Sequence, residues 1–456
     1  MSTAVRHLSL QTPQFPQPAL RVVYPRARSR WGTALAIAAL LPVWFPGQLL
    51  IGNFSLSFTV PFALALWAMT RPALPGSLRR ALLGMHGRGL WLETVCAAAI
   101  AALAALTTLY SPQPLHAFRV FLPASYGICA LILFTRITVV QTRHLAFAPL
   151  FAGCLALGFG LLLTSSSAGR LAVMRDYRFL GFFENPNQLG IMIVAVWPMA
   201  IALLLNARTA RTRLVSVACF LVLAGAILMS GTKTALALCF ASGALIWIYH
   251  SSRSGTLGAT LFKMAFATGM IVLAVPALLW LLSWASPSFF ARVENILTNG
   301  VWAFPSMQAR DAIWENSLQI ALANPLLGAG AGTEVYGYAH SHNMLLDYFR
   351  GMGVFGLTAG VVLILSVVTR GVGFLLSTWH KRELDRASDT IVAGMYLGAI
   401  FHLIANQLSD SFSPTTAFLF WMMYFSAFFS ARSAGYIPRA ARRPSTLEWS
   451  PRARRT

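Results

Sequence analysis

Charge is scarce in this chain: only 11% of its 456 residues are Asp, Glu, Lys or Arg, against roughly 25% in an ordinary soluble domain. With 57% hydrophobic residues and a mean hydropathy of +0.65, that scarcity excludes a water-soluble globular protein. Acidic residues are the rarer sign, 13 against 35 basic ones, which leaves a formal net charge of +22. Cysteine is also sparse. The five present (Cys96, Cys129, Cys154, Cys219 and Cys239) all fall inside apolar runs, so neither a disulfide framework nor a metal site is expected. No fixed-period repeat is visible, which speaks against an inverted-repeat transporter. Residues 1–30 are basic and proline-containing. They do not read as a cleavable signal, so the first apolar stretch is expected to remain as an anchor.

What the chain has in place of charge is repeated apolar runs near 20 residues, the length of a membrane-crossing helix. The pattern predicts an all-α polytopic membrane protein with about twelve spans. They lie near 32–50, 54–70, 92–109, 115–135, 145–164, 188–205, 214–229, 234–250, 264–283, 345–369, 389–407 and 413–430. The expected organisation is a basic tail (1–31), nine spans (32–283), one large loop carrying an amphipathic helix (284–344), three spans (345–430) and a second basic tail (431–456).

The +22 could suggest nucleic acid, but its placement argues otherwise. With the N-terminus inside, the two tails and alternate segments put 27 of the 35 basic residues on one face, together with Glu93, Glu383, Asp385, Asp389 and Glu448. The other face balances eight basic against eight acidic residues. This is the positive-inside pattern, with both termini cytoplasmic and the 284–344 loop on the opposite side. The basic tails then serve as topology signals that also touch anionic membrane lipid, and no nucleic-acid partner is expected.

Chemistry has to come from the few polar interruptions. The main one runs from Gln308 to Gly356 and holds Arg310, Asp311, Trp314, the Gly328-Ala329-Gly330-Ala331-Gly332 run, and His340-Ser341-His342-Asn343. Residues 307–324 read as an amphipathic helix stopped by Asn324-Pro325. Arg310 falls in its first turn, where the helix dipole disfavours a cation, so the position needs another reason. The Gly-x-Gly-x-Gly run lacks the preceding strand and following helix of a nucleotide site, and it reads as a re-entrant turn. Positions 342, 346, 349, 353 and 356 share one helical stripe, and Gly353 and Gly356 would let that helix press on a neighbour and fix the height of His342. Asp347 and Arg350, three residues apart, are expected to neutralise one another.

Two further segments carry cations on the face where the charge rule disfavours them. One is 165–190, with Arg170, Arg175, Arg178 and then Glu184-Asn185-Pro186-Asn187-Gln188. A lone external Arg178 needs an anionic partner, whereas Asn185 and Asn187 serve equally well as turn and helix-cap residues. The other is the tight turn Ser230-Gly231-Thr232-Lys233-Thr234. Lys233 is there either a ligand-binding cation or a lysine snorkelling to the membrane surface.

Taken together these segments resemble the O-antigen ligase and polymerase family of bacterial envelope glycosyltransferases. His342-Asn343 followed by Gly353-x-x-Gly356 resembles its signature. Arg310 with Trp314 and Pro325-Leu326-Leu327-Gly328-Ala329-Gly330 looks like its external-loop motif, and Arg178 through Asn187 resembles its Arg-x-x-Gly-x-x-x-Asn-Pro-Asn segment. Lys233 stands where many members have Arg. The charge is kept but the bidentate fork is lost, as in exopolysaccharide polymerase-like members.

The resemblance implies inverting, metal- and cofactor-independent glycan transfer at the periplasmic face of the inner membrane. The donor would be an undecaprenyl-diphosphate-linked glycan and the acceptor a glycan or lipid A core. His342 and Arg310 would be catalytic. Lys233, Arg178 and Arg310 would bind the diphosphate, and Asn343, Gly353, Gly356, Asn185 and Asn187 would support them. The residue types suit that chemistry, because a neutral imidazole can take a hydroxyl proton and fixed cations stabilise a leaving diphosphate. A multi-spanning transporter of lipid-linked glycan or another substrate is the alternative, and a noncatalytic assembly partner is a third class. A transporter would place ionisable groups deep within its spans.

Overall fold

The computed structural model describes residues 30–46, 50–51, 54–70, 90–136, 139–175, 178–252, 305–338, 340–379, 386–408 and 412–433, with isolated positions 258, 262, 265 and 298. The helices are α1 (Arg30–Leu40), α2 (Val60–Thr70), α3 (Trp91–Thr107), α4 (Pro114–Arg136), α5 (Val139–Leu163), α6 (Ser167–Val173), α7 (Pro186–Leu205), α8 (Ala210–Ser230), α9 (Lys233–Ser252), α10 (Pro305–Ala323), α11 (Met344–Trp379), α12 (Arg386–Leu408) and α13 (Pro414–Ser433). Two 3-10 turns (Leu41–Trp44 and Leu56–Thr59) and two very short antiparallel ladders accompany the helices. Leu50 pairs with Ser55 in the first, and Met174 with Phe179 in the second.

Among the described residues, seven helices are long and apolar enough to cross a membrane, and four shorter apolar helices accompany them. Eleven of the expected apolar stretches therefore fall on helices. The stretch at 264–283 and both basic tails lie outside the described residues, as does most of 253–304.

The bundle is built around α7, whose residues from Gln188 to Ala200 are all buried. Local chemistry fixes where it starts. Asn185 Oδ1 accepts the free N–H groups of Asn187 and Gln188, both at 2.9 Å, with Pro186 supplying a first-turn residue that needs no N–H partner. α8 begins with a reciprocal cap between Thr209 and Thr212 and ends on Gly231 at φ 62°, the left-handed residue that closes a helix. α9 starts immediately after.

α12 packs along α7 in the opposite direction. A Cβ on Gly394 would meet Pro198 O at 3.0 Å, and one on Gly398 would meet Ala195 O at 2.0 Å. Small residues of this kind let two helix backbones touch where no hydrophobic force drives them together. The antiparallel register brings the C-terminal end of α12 level with the N-terminal end of α7. The α8–α9 turn lies at the same end, since Thr232 Oγ1 donates to Pro186 O at 2.9 Å.

The opposite end holds a buried ionic node. Glu93 of α3 is fully buried and pairs with Arg370 of α11, while Ser366 and Tyr424 also donate to its carboxylate. Glu93 was expected to be one of the charges of a solvated face. It is instead internal, where a carboxylate persists only with a cation and donors around it.

Candidate functional site

The polar interruption folds into a compact assembly of α10, the loop 324–343 and the beginning of α11. Ser341, fully buried, is held through every polar group it has. Its N–H donates to Asp347 Oδ1 at 2.7 Å, its carbonyl accepts from Trp314 Nε1 at 2.8 Å, and its hydroxyl donates to Asn343 O at 3.1 Å. Asp347 is in turn paired with Arg350 at 3.0 Å, and Arg350 Nη1 donates to Ser317 Oγ at 3.2 Å. The expected Asp347–Arg350 neutralisation is therefore present, and it ties α11 to α10.

His342 follows this clamp with φ at 59°. A left-handed conformation costs an L-residue about 1–2 kcal/mol and persists only where its surroundings enforce it. Here the pinned Ser341 lies on one side and the helix cap on the other. Asn343 Oδ1 accepts Leu346 N–H at 3.0 Å, and α11 begins at Met344. The His342 ring stands edge-on to that of His340, centroids 4.6 Å apart.

The expected helical stripe through 342, 346, 349, 353 and 356 does not form. His342 lies outside the helix, and Gly353, with φ 64° and ψ −158°, breaks α11 in two. That conformation is accessible essentially to glycine alone. The break frees the Arg350 carbonyl and the Val354 N–H, and the loop takes up both. Ala329 N–H donates to Arg350 O, and Val354 N–H donates to Pro325 O, each at 2.8 Å. Gly353 therefore presses on the loop backbone rather than on a neighbouring helix, and a Cβ there would sit 2.1 Å from Leu326 O. Gly356 lies against Met352 and Tyr348, and Gly360 against Leu345 and Tyr348. The segment after the break thus doubles back on the segment before it.

The glycine run is a close-packing device. Gly328, Gly330 and Gly332 all have positive φ, and added Cβ atoms would strike the backbones of Gly351–Met352, Ser111 and His116 respectively. Ala331 N–H is held by Thr107 Oγ1 at 3.1 Å, Ser111 Oγ donates to Ala331 O, and Tyr110 donates to Leu327 O. The run is thus lodged between α11 and the end of α3.

Arg310 lies in the second turn of α10, which starts at Pro305 and not at 307, so the first-turn dipole argument does not apply. Its Nη1 donates to Leu408 O at 2.8 Å, the last carbonyl of α12, where a cation is favoured. The preceding residue, Gln407, holds the histidine side of the site. Its carbonyl accepts from Asn343 Nδ2 at 3.4 Å, and its Oε1 accepts Leu345 N–H at 3.3 Å. Arg310 and His342-Asn343 are thus set by two consecutive residues at one helix end.

Arg178 and Lys233 form the second group. Arg178 Nε donates to Ser230 O at 2.8 Å and its Nη2 to Thr232 Oγ1 at 3.3 Å, directly before Lys233 at the start of α9. Asn185 is occupied as the α7 cap, and Asn187 follows in the same turn. By the α7–α12 register, both cation groups lie at the same end of the bundle.

Several residues in this architecture carry no local sequence signal. Gln407, Ser341 and Ser317 are ordinary polar residues whose partners lie 62, 27 and 33 positions away. A polar pair also lies inside α12: His402 Nδ1 meets Asn406 Nδ2 at 3.0 Å, and both residues are fully buried. With Glu93 and Arg370, it places polar and ionisable groups inside the bundle as well as at the end that holds the two cation groups. Among the described residues, no group of His, Cys, Asp and Glu could hold a metal ion. A cleft of about 600 Å³ opens between α10 and the first segment of α11, with Asn343 in its wall.

Residues 217–361 match the family model described as O-Antigen ligase. That stretch includes Lys233, Arg310, His342, Asn343, Gly353 and Gly356, and leaves Arg178, Asn185 and Asn187 before it. No curated protein matches the chain.

Proposed function

We propose, from the match of residues 217–361 to the O-Antigen ligase family model, that this chain transfers a glycan during envelope polysaccharide assembly. The donor in this reading is a glycan on undecaprenyl diphosphate. The acceptor is a sugar hydroxyl, on a growing polysaccharide or on lipid A core, and the reaction takes place at the periplasmic face of the inner membrane. The observation that carries it is the shared platform. Consecutive residues Gln407 and Leu408 hold Asn343 beside His342 and hold the guanidinium of Arg310, so base and cation are positioned together.

The chemistry balances without a cofactor. Neutral His342 accepts the proton of the acceptor hydroxyl, the resulting oxygen bonds to the anomeric carbon from the face opposite the diphosphate, and the anomeric carbon–oxygen bond to phosphate breaks with inversion. Charge grows on the departing diphosphate, and preorganised donors aimed at such charge are the strongest single source of catalysis. Arg310 supplies a planar fork. Lys233 supplies a point charge at the start of α9, where free helix N–H groups also favour anions. Arg178 braces the turn that presents Lys233 and adds its own charge. Strain at His342 suits this role, since strained backbone is held where a side chain must be aimed.

A transporter reading finds less support. Glu93 and Arg370 neutralise one another, and His402 and Asn406 pair within a single helix, so neither group forms a chain of sites through the bundle. The test is cellular. In a deletion strain carrying His342→Ala or Arg310→Ala at normal protein level, the lipid-linked glycan should accumulate unextended or untransferred. Normal polysaccharide in both strains would rule this reading out.

A further inference from the structure

The cleft between α10 and the start of α11 sets two carboxylates and an amide against an aromatic and leucine-rich wall. From α10, one helix face turns toward it at positions 311, 314, 315 and 318, contributing Asp311, Trp314 and Glu315 as its chemically distinct members. Phe349 and leucines of α11 form the facing wall, and Asn343 stands where the cleft meets the His342 turn. At about 600 Å³ it lies within the ~300–1,000 Å³ of small-molecule sites. Trp314's indole N–H is taken up by Ser341 O, so what the side chain offers the cleft is ring surface. Asp311 and Glu315 are exposed, and neither makes a hydrogen bond or ion pair among the described residues.

Two carboxylates at the rim repel phosphate, and an isoprenoid has no donor to offer them. A saccharide fits both features. Its C–H faces pack on aromatic and apolar side chains, while its hydroxyls donate to carboxylates, the stronger class of neutral-donor hydrogen bond. The geometry points to this cleft as the subsite for the acceptor glycan, taking neutral or amino sugars and rejecting uronic or phosphorylated ones. The assignment to the acceptor rests on the glycan-transfer reading above. The donor's charge belongs with Arg178, Lys233 and Arg310, whereas the cleft is lined by Asn343, the residue that follows His342, the group that takes the acceptor's proton.

The test uses the full-length protein in nanodiscs and saturation-transfer NMR with three tetrasaccharide probes: cellotetraose, the glucosamine tetramer and tetragalacturonate. The first two should receive saturation and the third should not. The double variant Asp311→Asn/Glu315→Gln, at exposed positions where folding is not at stake, should weaken binding of the first two by roughly ten- to hundredfold. Asp311→Lys/Glu315→Lys should admit the uronate. Equal signals from all three probes, no signal from any, an unchanged Asp311→Asn/Glu315→Gln double variant, or displacement of the sugars by undecaprenyl phosphate would each overturn the assignment. The two readings fail separately. His342→Ala should bind the probes normally while transfer stops. Continued transfer by His342→Ala removes the base and leaves the cleft standing, whereas unaltered sugar binding in the Asp311→Asn/Glu315→Gln variant removes only the cleft.

Discussion

Replacing Gly353 with alanine should dismantle the site without touching any group that does chemistry. Two terms add at this position. The backbone sits at φ 64° and ψ −158°, which costs a residue with a Cβ about 1–3 kcal/mol. The new Cβ would also lie 2.1 Å from Leu326 O and 2.3 Å from Leu326 C, and an overlap with backbone that cannot move aside costs about 1–3 kcal/mol more. The sum, about 2–6 kcal/mol, is a large fraction of the ~5–15 kcal/mol that holds a typical protein folded. The cheapest relief is to straighten α11, which breaks the Val354 N–H to Pro325 O and Ala329 N–H to Arg350 O bonds. The loop then leaves its seat, and the Ser341–His342 clamp goes with it. Thermal unfolding in detergent and glycan transfer should both fall in Gly353→Ala. Gly373, in the same helix with open space around it, provides the control. Gly373→Ala should be neutral or stabilising by up to about 1 kcal/mol. If Gly353→Ala matched wild type in melting temperature and turnover, the break would not be what holds the loop.

Four shorter predictions accompany it. Trp314→Phe keeps the ring but removes the indole donor to Ser341 O; it should lose about 1 kcal/mol of stability and slow transfer, checked by melting and initial rates. Arg310→Ala should eliminate transfer and Arg310→Lys should restore only part of it, because the fork is lost, while Lys233→Arg should stay active in the same assay. Glu93→Gln should lower the melting temperature, since one member of a buried pair left alone costs about 3–5 kcal/mol; Glu93→Leu combined with Arg370→Leu should recover most of the loss. Reporter fusions after Arg71, Arg208 and Arg382 should read cytoplasmic and those within 305–338 periplasmic, and the opposite result would invert the proposed topology.

The apolar helices were legible because membrane-crossing length and composition are properties of contiguous sequence. Gly231 and Asn185 were legible as turn and cap for the same reason. The break in α11 was not. Apart from the paired Asp347 and Arg350, the run from Leu345 through Val368 is largely apolar, so it reads as one helix across a point where the backbone turns back. Only the glycines mark it, and on an unbroken helix they read as a packing face. The partner of Arg310 lies 98 residues away at a main-chain carbonyl, and a carbonyl has no side-chain identity for a sequence to display. Glu93 and Arg370, 277 residues apart, each looked like a solvated charge because their pairing exists only in three dimensions. His342 could be singled out by its position at the mouth of an apolar helix. Its left-handed backbone depends on Trp314 and Asp347 acting on its neighbour, and no local pattern encodes that.

The central claim is that His342 serves as the base for glycan transfer beside a cationic diphosphate site, and one paired measurement on purified protein tests it. Turnover of the lipid-linked glycan donor should fall by about 10²–10⁴-fold in His342→Ala, the usual contribution of a positioned general base. Undecaprenyl diphosphate should still protect that variant against heat as it protects wild type, and should protect Arg310→Ala and Lys233→Ala less. Full turnover by His342→Ala, or undiminished protection of both cation variants, would contradict the account.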